Sequence, residues 1–184
     1  YQIGSAIRRN PDRFPCLVLF PQVQNKGGWT EQDLILAISV LNDVKTEYRI
    51  DPNRVYLTGV SSGGKAAWSL LNAYPFRFTA ALIVCGRLLP PMKDGLRSSE
   101  KYPIVSSVDS VEFELLANRL LKTPIWVFHG DSDPIFDVAD TRLVVTRLAA
   151  RKVPVSYTEL SGFGHDVWDI AYYSKEVIGW LLSH

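Results

Sequence analysis

The sequence predicts an α/β fold in which a mainly parallel central sheet carries helices on both faces. Three observations point there. Short apolar runs of strand length alternate with longer stretches of helical periodicity, the pattern of strand–helix–strand crossovers. Several of those runs are continuously apolar, as strands covered on both faces must be. At 184 residues, with 47% apolar and 21% charged side chains, the chain has the size and composition of one globular domain spanning residues 1–184.

The first run, Phe14-Pro15-Cys16-Leu17-Val18-Leu19-Phe20-Pro21, is closed by proline at its end and predicts a strand buried on both faces. A glycine-rich turn follows at Asn25-Lys26-Gly27-Gly28. Thr30 then stands as a helix cap, and Leu34, Ile35, Ile38, Leu41, Val44 and Tyr48 recur at helical spacing along one face. Residues 54–58 predict the next strand, and the helix after them ends near Pro75, whose ring cannot continue it. Further strands fall at 80–85, 125–129 and 155–160, with helices near 110–121, from about 137 to 151, and a last one containing 174–182. Between residues 86 and 123 the connection is long, and Leu88, Leu89, Pro90, Pro91 and Met92 are apolar for a loop. They predict either a small lid over a pocket or an insertion packed on the surface.

Composition excludes several functions. A formal charge of +1 provides no basic face for nucleic acid, and no apolar run has the length that spans a bilayer. The chain begins at Tyr1 rather than Met and opens on no signal segment, so residues upstream of it are expected. Cys16 and Cys85 both sit in apolar runs and read as small buried hydrophobes, not as a disulfide. The spacing of His129, His165 and His184 matches no metal pattern, so no metal or cofactor is implied.

Chemistry concentrates at Gly59-Val60-Ser61-Ser62-Gly63-Gly64, which lies between the strand at 54–58 and a helix-like run. Strand, Gly-x-Ser-x-Gly and helix in that order describe a nucleophile elbow, where a sharp turn holds a serine hydroxyl out of the backbone. A serine needs a base and a group to orient that base. His165 lies in the glycine-bracketed loop Ser161-Gly162-Phe163-Gly164-His165-Asp166, directly after the last predicted strand. The exit loop of the preceding strand, His129-Gly130-Asp131-Ser132-Asp133-Pro134, offers two carboxylates. The chain order Ser, Asp, His is that of α/β-hydrolases.

With these motifs the sequence resembles the small carboxylesterases related to polyhydroxybutyrate depolymerases and feruloyl esterases, of the α/β-hydrolase fold. The resemblance rests on residues 51–64, on Pro124-Ile125-Trp126-Val127-Phe128-His129-Gly130 with Asp133, and on Gly164-His165-Asp166-Val167-Trp168-Asp169. It implies a triad of Ser61, Asp133 and His165, an acyl-enzyme intermediate, and the backbone N–H of Ser62 as one oxyanion donor. It also implies a small-molecule or polymer-linked ester as substrate and a secreted or periplasmic location. In this fold the run at 16–20 corresponds to the fourth strand, and the third lies between it and the strand at 54–58. On this resemblance the chain lacks its N-terminal strands, and the second oxyanion donor comes from upstream sequence.

Trp29 and Trp168 are candidates to line a substrate groove, with the core as their alternative place. Trp68, Trp126 and Trp180 fall on apolar faces and belong to the core. His129, at the end of a buried strand, reads as structural. Two further functions compete with the esterase: a serine peptidase of the prolyl oligopeptidase type, which shares the order of the triad, and a catalytically silent binding protein.

Overall fold

A computed structural model describes residues 2–23, 28–93, 96–97 and 105–184. In chain order its elements are the helices Ile3–Arg9 (α1) and Glu31–Glu47 (α2), the strand Tyr56–Val60 (β1), the helix Ser62–Ala73 (α3) and the strand Ala80–Val84 (β2). A short antiparallel pair, Met92–Lys93 (β3) and Leu96–Arg97 (β4), precedes the helix Val111–Leu120 (α4). The strand Ile125–Gly130 (β5), the helix Val138–Ala150 (α5), the strand Val155–Leu160 (β6) and the helices Trp168–Tyr173 (α6) and Lys175–Leu182 (α7) follow. Four strands form one parallel sheet in the order β1-β2-β5-β6.

Local chemistry sets the helix starts. Thr30 caps α2 through a reciprocal pair, its Oγ1 accepting from the Asp33 N–H at 3.3 Å while Asp33 Oδ2 accepts from the Thr30 N–H at 2.8 Å. Ser110, Asp137 and Ser174 cap α4, α5 and α7 in the simpler one-way manner.

Side-chain alternation along β2 divides the core between the two faces of the sheet. Ala81 and Ile83 join Leu34, Ile38, Trp68, Phe113, Leu116 and Leu148 on one side. Ala80, Leu82 and Val84 join Phe128, Ala171, Tyr172 and Ile178 on the other. Every residue of β2 is fully buried, as an inner strand with helices on both faces must be. Trp68 is buried at 1% exposure, and Trp126 packs edge-on against Trp180 at 5.2 Å.

The predicted strand at residues 16–20 is not one. The run lies in irregular chain, with Leu17 62% and Phe20 50% exposed, and Cys16 is exposed while Cys85 is buried; both thiols are free. An apolar run becomes a strand through ladder hydrogen bonds and cover on each face, and this one pairs with no strand among the described residues. On α2 the buried side chains are Leu34, Ala37 and Ile38, while the predicted Ile35 and Tyr48 face outward.

The turn at Asn25-Lys26-Gly27 lies outside the described residues, as do parts of the 86–123 segment. Leu88 and Leu89, 5% and 1% exposed, are core side chains in the larger apolar cluster, together with Val105 and Val108. No helix among the described residues is long and apolar enough to cross a membrane.

Candidate active site

Strand register brings the chemistry together. Val60 pairs with Val84, Val84 with Phe128, and Gly130 with Leu160, so the four strands end along one edge of the sheet. The segments leaving them carry Ser61, Gly86, Asp133 and His165 to that edge, where ligands of open α/β sheets bind.

Ser61 occupies φ 55°, ψ −117°, a conformation that L-residues rarely adopt, and its N–H donates to the Val84 carbonyl at 2.9 Å. Two close backbone approaches hold it there. A Cβ on Gly59 would meet the Gly63 oxygen at 2.1 Å, and one on Gly64 would meet the Gly86 Cα at 2.7 Å. The glycines let α3 start directly on the ends of β1 and β2, and the strained turn lifts the Ser61 hydroxyl out of the backbone. Ser62 is the first residue of α3, where the N–H has no helical carbonyl to bond.

The Ser61 hydroxyl is 2.8 Å from His165 Nε2, and His165 Nδ1–H donates to Asp133 Oδ2 at 2.7 Å. The other carboxylate oxygen, Oδ1, accepts from the N–H groups of Ile135 at 2.8 Å and Phe136 at 3.0 Å. The Asp133 side chain is sealed from solvent while the imidazole remains 18% exposed. Burial pushes the Asp133 carboxyl up, but hydrogen bonds from His165 and from the Phe136 and Ile135 N–H groups outweigh it and hold the group below the ordinary carboxylate range. Phe136 and Trp168 stand edge-on to the imidazole, with centroids at 5.3 and 6.2 Å.

Asp131 has a different job. Its Oδ1 accepts from Ser132 Oγ and from the Gly162 N–H, both at 2.8 Å, which ties the loop after β5 to the loop after β6. A second tie, Ser132 N–H to the Phe163 carbonyl at 2.9 Å, sets the distance between the loops that carry Asp133 and His165. The Cys85 thiol donates to the His165 carbonyl at 2.9 Å, and burial pushes its pKa up to about 12.

Of the two tryptophans predicted for a groove, Trp168 is beside His165 and Trp29 packs against the larger apolar cluster. His184 packs its ring on Trp180, away from these residues. His129 is the surprise: it is fully buried, and its Nε2 lies 3.0 Å from Asp133 Oδ2. The sequence signal was its place four residues before the acid, across the turn at the end of β5.

The sequence profile of the prolyl oligopeptidase family matches residues 22–184. The chain belongs to that family. Prolyl oligopeptidase family members and their relatives share the α/β-hydrolase fold, and solved structures agree with it. A thermostable esterase matches at 31% identity and TM-score 0.64 over 82% of this chain and 36% of its own. FphF, a fluorophosphonate-binding serine hydrolase of Staphylococcus aureus, matches at 19% identity and TM-score 0.60 over 82% of this chain and 63% of its own. A puromycin-hydrolyzing peptidase of Mycobacterium tuberculosis matches at 18% identity and TM-score 0.58 over 81% of this chain and 25% of its own. The chain therefore spans between a quarter and about two thirds of these proteins. Comparison with curated proteins gives no match.

Proposed function

We propose that the protein is a serine carboxylic ester hydrolase that works through an acyl-enzyme on Ser61. The observation that carries this reading is the hydrogen-bonded line from Ser61 Oγ through His165 to Asp133, at 2.8 and 2.7 Å. His165 takes the Ser61 proton as Oγ bonds to the ester carbonyl carbon, then gives it to the departing alkoxide as the ester C–O bond breaks. Asp133 keeps the imidazole's Nδ1–H in place and stabilises the imidazolium that forms. The Ser62 N–H donates to the carbonyl oxygen as it becomes negative. A water deprotonated by His165 then attacks the acyl carbon and releases Ser61.

Substrate chemistry follows the same residues. Trp168 beside His165, with the exposed Ile135 and Phe163 on the two loops, supports an apolar acyl or aryl group at the site. Resemblance to polyhydroxybutyrate depolymerases and feruloyl esterases supports short-chain, aryl or polymer-linked esters. Family membership favours a second reading, a serine peptidase of the prolyl oligopeptidase type.

A panel of p-nitrophenyl esters of graded acyl length, run beside a proline p-nitroanilide peptide, tests the choice. Faster hydrolysis of the acetyl or butyryl ester, with the anilide untouched, is the expected result. Preference for the anilide would replace the esterase with the peptidase.

A further inference from the structure

We infer that His129 is a positioning residue for the reaction, holding Asp133 in register with His165; the inference rests on the serine hydrolase reading above. Its imidazole is fully buried at the end of β5 and touches three groups. Nδ1 is 2.9 Å from Thr141 Oγ1 on α5, and Nε2 is 3.0 Å from both the Phe136 carbonyl oxygen and Asp133 Oδ2. Both neighbours of Nε2 are acceptors, so Nε2 carries the proton, and the Thr141 hydroxyl donates to Nδ1. The opposite tautomer would aim a lone pair at two oxygens. Thr141 thus selects the form of His129 that donates to the Phe136 carbonyl and turns its N–H edge to Asp133, much as Asp133 selects the form of His165.

A histidine kept only for packing would be satisfied by Thr141 and the Phe136 carbonyl. The third contact falls on Oδ2, the oxygen that accepts from His165 Nδ1. That oxygen lies between two imidazoles, while Oδ1 is held by the Ile135 and Phe136 N–H groups. Three donors, the His165 Nδ1–H and the Ile135 and Phe136 N–H groups, hold the carboxylate, and His129 closes its remaining side: its Nε2–H is bonded to the Phe136 carbonyl of the same turn, and its ring edge stands against Oδ2. Removing the imidazole frees the Phe136 turn and Oδ2 to shift, and misplacement by an ångström can cost about a hundredfold in rate.

The test is the rate at which a fluorophosphonate labels Ser61, read by intact mass on the full-length protein, for wild type, His129→Leu, His129→Gln and Thr141→Val. Each is also made with Asp133→Asn. His129→Leu is expected to slow labelling about ten- to a hundredfold with little change in the concentration giving half-maximal rate. His129→Gln, which keeps an N–H donor, is expected to recover most of the loss. With Asp133→Asn in place, His129→Leu should cost nothing further, because the residue acts through that acid.

An equal cost of His129→Leu in both backgrounds, or a wild-type rate in the single variant, overturns the inference. Should the leucine variant fail to fold, Thr141→Val carries the test: a slower rate is expected, and a wild-type rate overturns the assignment. p-Nitrophenyl acetate turnover in the same samples separates the two readings, since labelling without turnover removes the esterase and leaves His129 in its role. No labelling of Ser61 in wild type overturns both.

Discussion

Gly59 and Gly63 touch backbone to backbone across the turn that holds Ser61, with the place of a Gly59 Cβ only 2.1 Å from the Gly63 carbonyl oxygen. The two sides of that contact tolerate change unequally. Gly59→Ala must push α3 off β1 and is expected to destabilise the fold by about 2 kcal/mol or more, seen as a lower Tm. An added Cβ on Gly63 meets nothing within 4 Å, so Gly63→Ala is expected to leave the Tm unchanged or raise it.

Asp131 and Asp133 are two residues apart on one loop, and only Asp133 reaches His165. Asp133→Asn is expected to lower kcat by about 10⁴-fold, the cost of losing the acid that orients a triad histidine. Asp131→Asn loosens a loop tie and is expected to change kcat far less. Ester turnover by the two purified variants checks the contrast.

Glu159 on β6 accepts two hydrogen bonds from Arg142, at 2.7 and 2.8 Å, and a third from Tyr157 at 2.7 Å. These partners, Arg142 foremost, pull its pKa down to about 2. A depressed carboxylate stabilises the fold above its unfolded pKa, and that contribution fades as pH falls towards the folded value. Glu159→Gln is therefore expected to be slightly less stable than wild type at pH 7, with the gap narrowing below about pH 4.3. Thermal melts of both proteins between pH 7 and pH 3 measure it.

Cys85 is buried with its thiol pKa raised to about 12, and Cys16 is exposed. Iodoacetamide at pH 8 is expected to modify Cys16 and to spare Cys85 until denaturant is added. Peptide mapping of the labelled protein gives the answer directly.

Much of this was legible in the sequence because local signals and tertiary demands agree. Continuous apolar runs gave β2 and β5, the Thr30 cap gave the start of α2, and the glycines around Ser61 announced a turn only they could make. Where a signal needs a partner to be realised, reading failed. Residues 16–20 carry the composition of a buried strand, yet a strand exists only when another strand pairs with it. His129 reads as structural and is fully buried, as expected; its nearness to Asp133 Oδ2 was not legible, because the direction of an imidazole depends on partners such as Thr141, twelve residues away on another element. The helix at Ile3–Arg9 was also missed, since with one buried residue, Ala6, it has little apolar periodicity to read.

The central claim is that Ser61 becomes acylated. Rapid quenching of the protein with p-nitrophenyl acetate, followed by intact mass and peptide mapping, tests it most directly. A single added acetyl group on Ser61, absent from Ser61→Ala together with all turnover, is the predicted result. An acetyl group on another residue, or substantial turnover by Ser61→Ala, would contradict it.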